Sequence, residues 1–329
     1  MNVLCIWDVP KNLRDYFKAN IDGDINIIYS KSNTEEDYIK LAKENNVEMI
    51  IGWRPSKDLI EASDNLRLVQ NPGAGVTHLL SLFKDSEVKL ANCHGNSYFT
   101  AQHGVALLLS LTNSIVNFDN AVRDGFFRKD IGIRENIPLR NNVIGILGLG
   151  HVGQNVAKFL SGFDTKLITC KRSNLDKHYP HIEKVYGFSD IEDFFGDSDI
   201  IISTLPLTDL TKGLINKKLL NILGKNGLIV NIGRGDTIVE KDLYNALFNK
   251  NIAGAALDVF WNEKSPKKVK DKIYPYNFPF HELENVLLSP HRAASPMSDL
   301  KRWDPVIENI LRLKEDKPLI NLVNVNEGY

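Results

Sequence analysis

The chain has 329 residues, more than one hydrophobic core usually spans, so two domains are expected. With 43% hydrophobic and 25% charged residues it has the composition of a globular protein. Its 40 basic and 41 acidic residues, a formal charge of −1, lend no support to a nucleic-acid or membrane-surface partner, so a small ligand is expected.

At the start, MNVLCIWDVPKN has only a short apolar run and then charges, which reads as neither a signal peptide nor a membrane span. Cys5, Cys93 and Cys170 are far apart, odd in number and without a CxxC pair, which fits a reducing compartment and a cytoplasmic protein. Short apolar runs then alternate with amphipathic segments, the pattern of βαβ units and mostly parallel sheets. Strands are expected at Val3–Ile6, Asp24–Ile28, Glu48–Ile51, Leu66–Val69 and Val88–Leu90, with helices between them. An apolar helix over Phe99–Ile115 and a looser polar stretch over Arg123–Asn142 read as a domain connector. A second series follows: Val143–Leu147, Lys166–Cys170, Asp199–Thr204, Leu228–Ile232, Ala253–Val259 and Val286–Ser289. The lysine-rich run 264–272 reads as a solvated loop. A helix from about Met297 to Lys314 precedes Pro318, and Leu319–Val323 is a candidate strand returning to the first domain. These elements imply an α/β protein with two doubly wound parallel-sheet domains. One, residues 97–296, is inserted into a discontinuous other, residues 1–96 and 297–329.

Gly148-Leu-Gly-His-Val-Gly153 follows the strand VIGIL and opens a helix whose Val152, Val156, Phe159 and Leu160 share one face. In that context Gly148 allows a tight turn, Gly150 lets the backbone approach a pyrophosphate, and Gly153 lets helix and strand pack closely. The helix N-terminal amides at His151 and Val152 then meet the anion. The next strand ends in Lys171-Arg172-Ser173, where an NAD-specific site would carry an acid for the ribose hydroxyls. Basic side chains there suit a 2′-phosphate, so NADP(H) is the expected cofactor, with NAD(H) as the alternative.

NIGRGD, Asn231–Asp236, puts a permanent charge between two glycines at the end of a buried strand. With NPGAGVTHL (71–79), DIIISTLPLTDLTKGLIN (199–216), AALDVFWNE (255–263) and LLSPHRAAS (287–295), it resembles the D-2-hydroxyacid dehydrogenases, the family of glyoxylate/hydroxypyruvate reductases. The resemblance covers nearly the whole chain. It implies a flavodoxin-like substrate domain carrying a Rossmann dinucleotide-binding domain, and a homodimer formed through the latter. It assigns the substrate carboxylate and carbonyl to Arg234, acid/base work to His291 and support of His291 to Glu263. By the same resemblance Asp258 holds the nicotinamide carboxamide, Leu205, Pro206, Ile232 and Gly233 line the cofactor, and the turn Ala74-Gly75-Val76 offers N–H groups to the substrate. Reduction of a 2-oxo acid builds negative charge on oxygen, so a fixed cation and a proton donor at the ends of neighbouring strands suit it.

Trp53 and Arg54 stand either at the substrate or in strand-end packing and a surface ion pair. His178 and His181 have HxxH spacing without a third ligand, and no metal is expected. Three departures from the family stand out: Glu263-Lys-Ser-Pro266 with an extended loop in place of Glu-Pro-Leu-Pro, Gln102-His103 where relatives often have an acid, and Lys171-Arg172. The expected activity is NADP-preferring reduction of glyoxylate or hydroxypyruvate. A corepressor-like, nucleotide-sensing interaction protein and a formate- or phosphite-type dehydrogenase are the alternatives; against the latter, Ser289-Pro290 stands where formate dehydrogenases carry a glutamine.

Overall fold

The computed structural model describes residues 1–127, 135–294 and 298–328. Part of the expected connector, 128–134, lies outside the described residues, as do Ser295 of the last motif and Met297 at the expected start of the final helix. The chain divides into two compact units, Met1–Asn96 with Pro296–Tyr329, and Ser97–Ser295.

In the first unit, strands β1 (Asn2–Cys5), β2 (Asn26–Tyr29), β3 (Met49–Ile51), β4 (Leu68–Gln70) and β5 (Lys89–Ala91) form a parallel sheet in the order β2-β1-β3-β4-β5. This is the flavodoxin-like doubly wound order. Its strands read as continuous apolar runs because both faces are covered. Val3, Cys5, Met49 and Ile51 pack with Phe17, Trp303 and Ile310 on one face, and Leu4, Ile50 and Val69 with Tyr38, Ala42 and Leu59 on the other. The final helix is Asp304–Lys314, preceded by a 3-10 turn at Leu300–Trp303 and carrying Pro305 in its first turn, where its missing N–H costs nothing. The strand expected at Leu319–Val323 does not form. That segment makes only an isolated antiparallel bridge from Leu322 to Ala91, because Pro318 has no donor and Asn321 turns the backbone at φ 54°.

The second unit carries β6 (Val143–Leu147), β7 (Lys166–Cys170), β8 (Lys184–Tyr186), β9 (Ile200–Ser203), β10 (Leu228–Asn231), β11 (Gly254–Leu257), a hairpin of β12 (Lys267–Val269) and β13 (Lys272–Tyr274), and β14 (Val286–Leu288). The main sheet is parallel, in the order β14-β11-β10-β9-β6-β7-β8. The order reverses between β6 and β9, and ligands of such sheets bind beyond the carboxyl ends of the strands at that point. Two strand features depart from expectation. The edge strand β8 was not anticipated, and the lysine-rich run is an antiparallel hairpin rather than a loop, although its strands are almost wholly exposed.

The helix Ser97–Thr112 buries Ala101, Gly104, Val105, Leu107, Leu108 and Leu111, as a core helix apolar on most sides must. It stops short of Ile115 because Ser114 adopts φ 49°, and a separate helix runs Ile115–Arg123. Among the described residues no single helix is long and apolar enough to cross a membrane.

Candidate active site

The glycine loop lies between β6 and the helix His151–Leu160. Gly148 has φ +93°, a conformation side chains resist, and its N–H donates to Cys170 O at 2.9 Å while its carbonyl accepts from Thr204 Oγ1 at 2.8 Å. A Cβ on Gly153 would collide with the Gly148 carbonyl, so only glycine lets the helix begin this close to the strand. A Cβ on Gly150 would meet nothing within 4 Å. Gly150 is therefore free of a packing constraint, and what its missing side chain leaves is open space at a helix N-terminus. That is the shape a pyrophosphate needs, and the residues fit a dinucleotide.

The turn after β10 answers why an arginine stands between glycines. A Cβ on Gly233 would lie 2.5 Å from Leu205 O and 2.8 Å from Leu205 N, and one on Gly235 would strike the Phe260 backbone. The loops after β9 and β11 thus press on the turn from both sides and leave room for a side chain only at Arg234. Asn231 braces it: its Oδ1 accepts from Gly233 N–H at 3.1 Å and its Nδ2 donates to Arg234 O at 3.0 Å. Thr237 Oγ1 donates to the same carbonyl at 2.7 Å. Arg234 Nη1 donates to Gly233 O at 2.6 Å, and burial pulls the guanidinium's pKa below its usual value, partly opposed by the Glu263 charge.

Two strands further on, Glu263 and His291 meet. Glu263 Oε2 lies 2.8 Å from His291 Nδ1, and its Oε1 accepts from Phe260 N–H at 2.9 Å. The extended 264–284 segment therefore leaves this contact intact. Burial pushes the Glu263 carboxyl up, but the bonds from His291 and Phe260 and the charges of His291 and Arg234 outweigh it, and its pKa is lowered. The hydrogen bond to Glu263 raises His291 above the usual histidine value against the opposing effects of burial and Arg234. His291 itself has φ 53° and its N–H donates to Ser289 O at 3.0 Å, a tight turn across Pro290 that a histidine adopts at a cost in strain. Beside the pair, Phe260, Pro266, Ile273, Pro275, Tyr276 and Leu288 line a cavity of about 500 Å³ reached by Glu263 and His291.

Asp258, at the end of β11, is fully buried and already engaged. Its Oδ1 accepts from Ser289 Oγ at 2.5 Å and Arg292 N–H at 2.8 Å, and its Oδ2 from Ala293 N–H at 2.9 Å. The carboxylate expected at the carboxamide thus ties down the loop that carries His291, with one acceptor position on Oδ2 left over. His103 lies 2.8 Å from Ser289 Oγ and 3.3 Å from Asp258 Oδ1. Asn231, Ser289 and His103 were given no role in the site from sequence, although Gln102-His103 was marked as a departure from the family.

After β7, Lys171 is half-buried, and its ammonium bonds to the Tyr179 hydroxyl and sits 4.0 Å from the centre of that ring. Arg172 and Ser173 are exposed. Leu205 is buried against Gly148 and Ile232 against Gly104 of the core helix, while Pro206 O accepts from Thr211 Oγ1 at 2.6 Å. In the first unit Trp53 packs edge-on to Trp7 and Trp303, at 5.3 and 6.3 Å between ring centres. Arg54 is exposed and forms no ion pair among the described residues. The turn Ala74–Val76 is held by Asn92 Nδ2 on Ala74 O at 3.0 Å and Asn71 Nδ2 on Gly75 O at 3.3 Å. None of its three N–H groups donates within the described residues, so all three are open to an acceptor. His178 and His181 are exposed, and no cluster of three or more His, Cys, Asp or Glu among the described residues is placed to hold a metal.

A parallel sheet with a glycine loop at its switch point and an Arg, Glu and His on neighbouring strand ends defines a dinucleotide-dependent dehydrogenase. Residues 105–293 match the model of the D-isomer specific 2-hydroxyacid dehydrogenase NAD-binding domain. A glyoxylate/hydroxypyruvate reductase of Arabidopsis thaliana is 29% identical over 283 residues, 84% of this chain and 83% of that protein. A glyoxylate reductase of Pyrococcus furiosus is 32% identical over 297 residues, 84% and 81% of the two chains. The crystal structure of a D-isomer specific 2-hydroxyacid dehydrogenase from Xanthobacter autotrophicus in complex with NADPH superposes with a TM-score of 0.81 at 24% identity, covering 100% of this chain and 99% of that one, a likeness of fold. The chain belongs to the D-isomer-specific 2-hydroxyacid dehydrogenase family and is an NAD(P)-dependent enzyme acting on small molecules.

Proposed function

We propose that this enzyme reduces small 2-oxo acids, glyoxylate or hydroxypyruvate, to the D-2-hydroxy acid with NADP(H) as the preferred cofactor. The observation that carries this reading is the Glu263–His291 pair at 2.8 Å beside a guanidinium whose charge acts on both. The bound nicotinamide supplies the hydride. Arg234 binds the carboxylate and polarises the carbonyl with a charge it does not lose. His291, charged with Glu263's help, donates the proton to the developing alkoxide. Of the first unit, the unused N–H groups of Ala74–Val76 are the donors suited to a carboxylate, and Arg54 is a further candidate for it.

Gly148–Gly153 with His151 and Val152 are proposed to hold the pyrophosphate, Leu205, Pro206, Ile232 and Gly233 to line the nicotinamide, and the remaining acceptor of Asp258 to meet its carboxamide. Arg172, with Lys171 and Ser173, is proposed at the 2′-phosphate. In this reading residues 97–296 are the dinucleotide-binding domain and the two chain ends the substrate domain. A homodimer through the former is supported by the helix Ile115–Arg123, which buries none of its residues and leaves Ile115, Val116 and Val122 exposed, with Phe126 and Phe127 after it. The three free, buried cysteines suit a reducing cytoplasm.

The test is a panel of 2-oxo acids with NADPH and NADH, following cofactor oxidation and the chirality of the product. Turnover of glyoxylate and hydroxypyruvate, with D-glycerate from the latter, is expected. No turnover across the panel overturns the reading in favour of a nucleotide-sensing interaction protein.

A further inference from the structure

His103, of the Gln102-His103 pair, has no part in the catalytic reading. It stands on the core helix Ser97–Thr112, between the fully buried Ala101 and Gly104, whose missing Cβ would lie 2.5 Å from Ile232 Cδ1, so the backbone that carries it is fixed against the end of β10. Its Nε2 is 2.8 Å from Ser289 Oγ, and Ser289 Oγ is 2.5 Å from Asp258 Oδ1. The donors in this chain can be counted. An ionised carboxylate only accepts, so the single hydroxyl hydrogen of Ser289 goes to Asp258 and Oγ must accept from the imidazole. Nε2 therefore carries the hydrogen, which is shared with Asp258 Oδ1 at 3.3 Å. The same carboxylate takes the N–H groups of Arg292 and Ala293. Three points of the turn that presents His291 in a left-handed conformation thus hang on one buried anion, and His103 is the side chain that orients it.

We propose that His103 is a positioning residue: its Nε2–H fixes the Ser289 hydroxyl on Asp258 and thereby holds the 289–293 turn so that His291 meets Glu263. It touches no reacting atom in this role. The inference rests on the reading of His291 as the acid, but its geometry can be measured without turnover.

The experiment titrates the ¹⁵N-labelled imidazole of His291 by NMR in the full-length protein, with and without NADPH, in the parent, His103→Gln, His103→Leu and Ser289→Ala. Glutamine places an N–H donor close to the histidine Nε2, whereas leucine fills the space without one. The expected result is a His291 midpoint that stays raised in the parent and His103→Gln and falls toward that of an ordinary histidine in His103→Leu and Ser289→Ala. With substrate, kcat for reduction should fall on the order of tenfold to a hundredfold in those two variants, with KM for the 2-oxo acid within about threefold. An unmoved His291 midpoint in folded His103→Leu or in Ser289→Ala overturns the proposal, as does His103→Gln behaving like His103→Leu, since the side chain would then serve packing alone. If the midpoint moves but no 2-oxo acid is ever reduced, the positioning role stands and the proposed function fails.

Discussion

Glu263 holds His291 with one oxygen and its own loop with the other: Oε2 is 2.8 Å from His291 Nδ1, and Oε1 accepts from Phe260 N–H at 2.9 Å. The carboxylate is thereby fixed before it acts on the imidazole, and its charge is available to the proton that His291 must hold. Because the folded pKa of His291 is raised, the pair's contribution to stability is complete below the unfolded histidine value and lost as pH rises through the folded one. The lowered pKa of Glu263 closes the window on the acid side, where the contribution is lost as pH falls through its folded value.

The same sign applies to activity. Reduction needs the imidazolium, so kcat for a 2-oxo acid should hold above the ordinary histidine pKa and fall only at higher pH, while oxidation of the hydroxy acid should rise over that range. Glu263→Gln should move the falling limb of reduction to lower pH. An unmoved limb in this variant means that Glu263 does not set the protonation of His291.

The two glycines flanking His151-Val152 should fail in different ways. Gly153→Ala drives a Cβ into the Gly148 carbonyl and should cost about 1–3 kcal/mol of stability along with cofactor affinity. Gly150→Ala meets no protein atom within 4 Å, so its melting temperature should be unchanged while the Kd for NADPH rises about tenfold or more. Calorimetry on both variants checks this. Unaltered NADPH affinity in Gly150→Ala means that the pyrophosphate does not approach there.

NADPH should be preferred over NADH by at least about tenfold in kcat/KM at physiological salt, which requires only about 1.4 kcal/mol. A planar guanidinium takes a phosphate by paired bonds and an ammonium does not, so Arg172 should carry most of the preference. Arg172→Ala should remove more of it than Lys171→Ala. A parent enzyme that prefers NADH contradicts the assignment.

Arg234→Lys should raise KM and lower kcat together, because an ammonium keeps the charge but not the paired geometry a carboxylate takes. Steady-state kinetics and cofactor titration separate the outcomes. A change confined to cofactor affinity would make Arg234 a structural residue.

What the sequence revealed follows from how local each signal is. Val143–Leu147 and Lys166–Cys170 were read to the residue because buried parallel strands are unbroken apolar runs. Lys184–Tyr186 is a three-residue edge strand in a polar stretch, and nothing local marks it. The hairpin Lys267–Tyr274 was hidden by its lysines, since both strands face solvent and need no apolar alternation. Arg234 was conspicuous from its glycines, yet the reason for them, Leu205 on one side and Phe260 on the other, lies in chain segments far off in sequence. Gln102-His103 could be marked as a departure but not explained, because the partners of His103, Asp258 and Ser289, are 155 and 186 positions away. Lys171 was visible as a charge, while Tyr179, which holds its ammonium, was not.

The most direct test of the acid/base assignment is a single-turnover measurement of cofactor oxidation with hydroxypyruvate in His291→Asn beside the parent, with NADPH affinity determined for both. The expected result is a rate lower by roughly two to four orders of magnitude with NADPH bound as tightly as before, the size of a lost general acid. A near-normal rate in the folded variant, or a loss traced wholly to NADPH binding, would contradict the account.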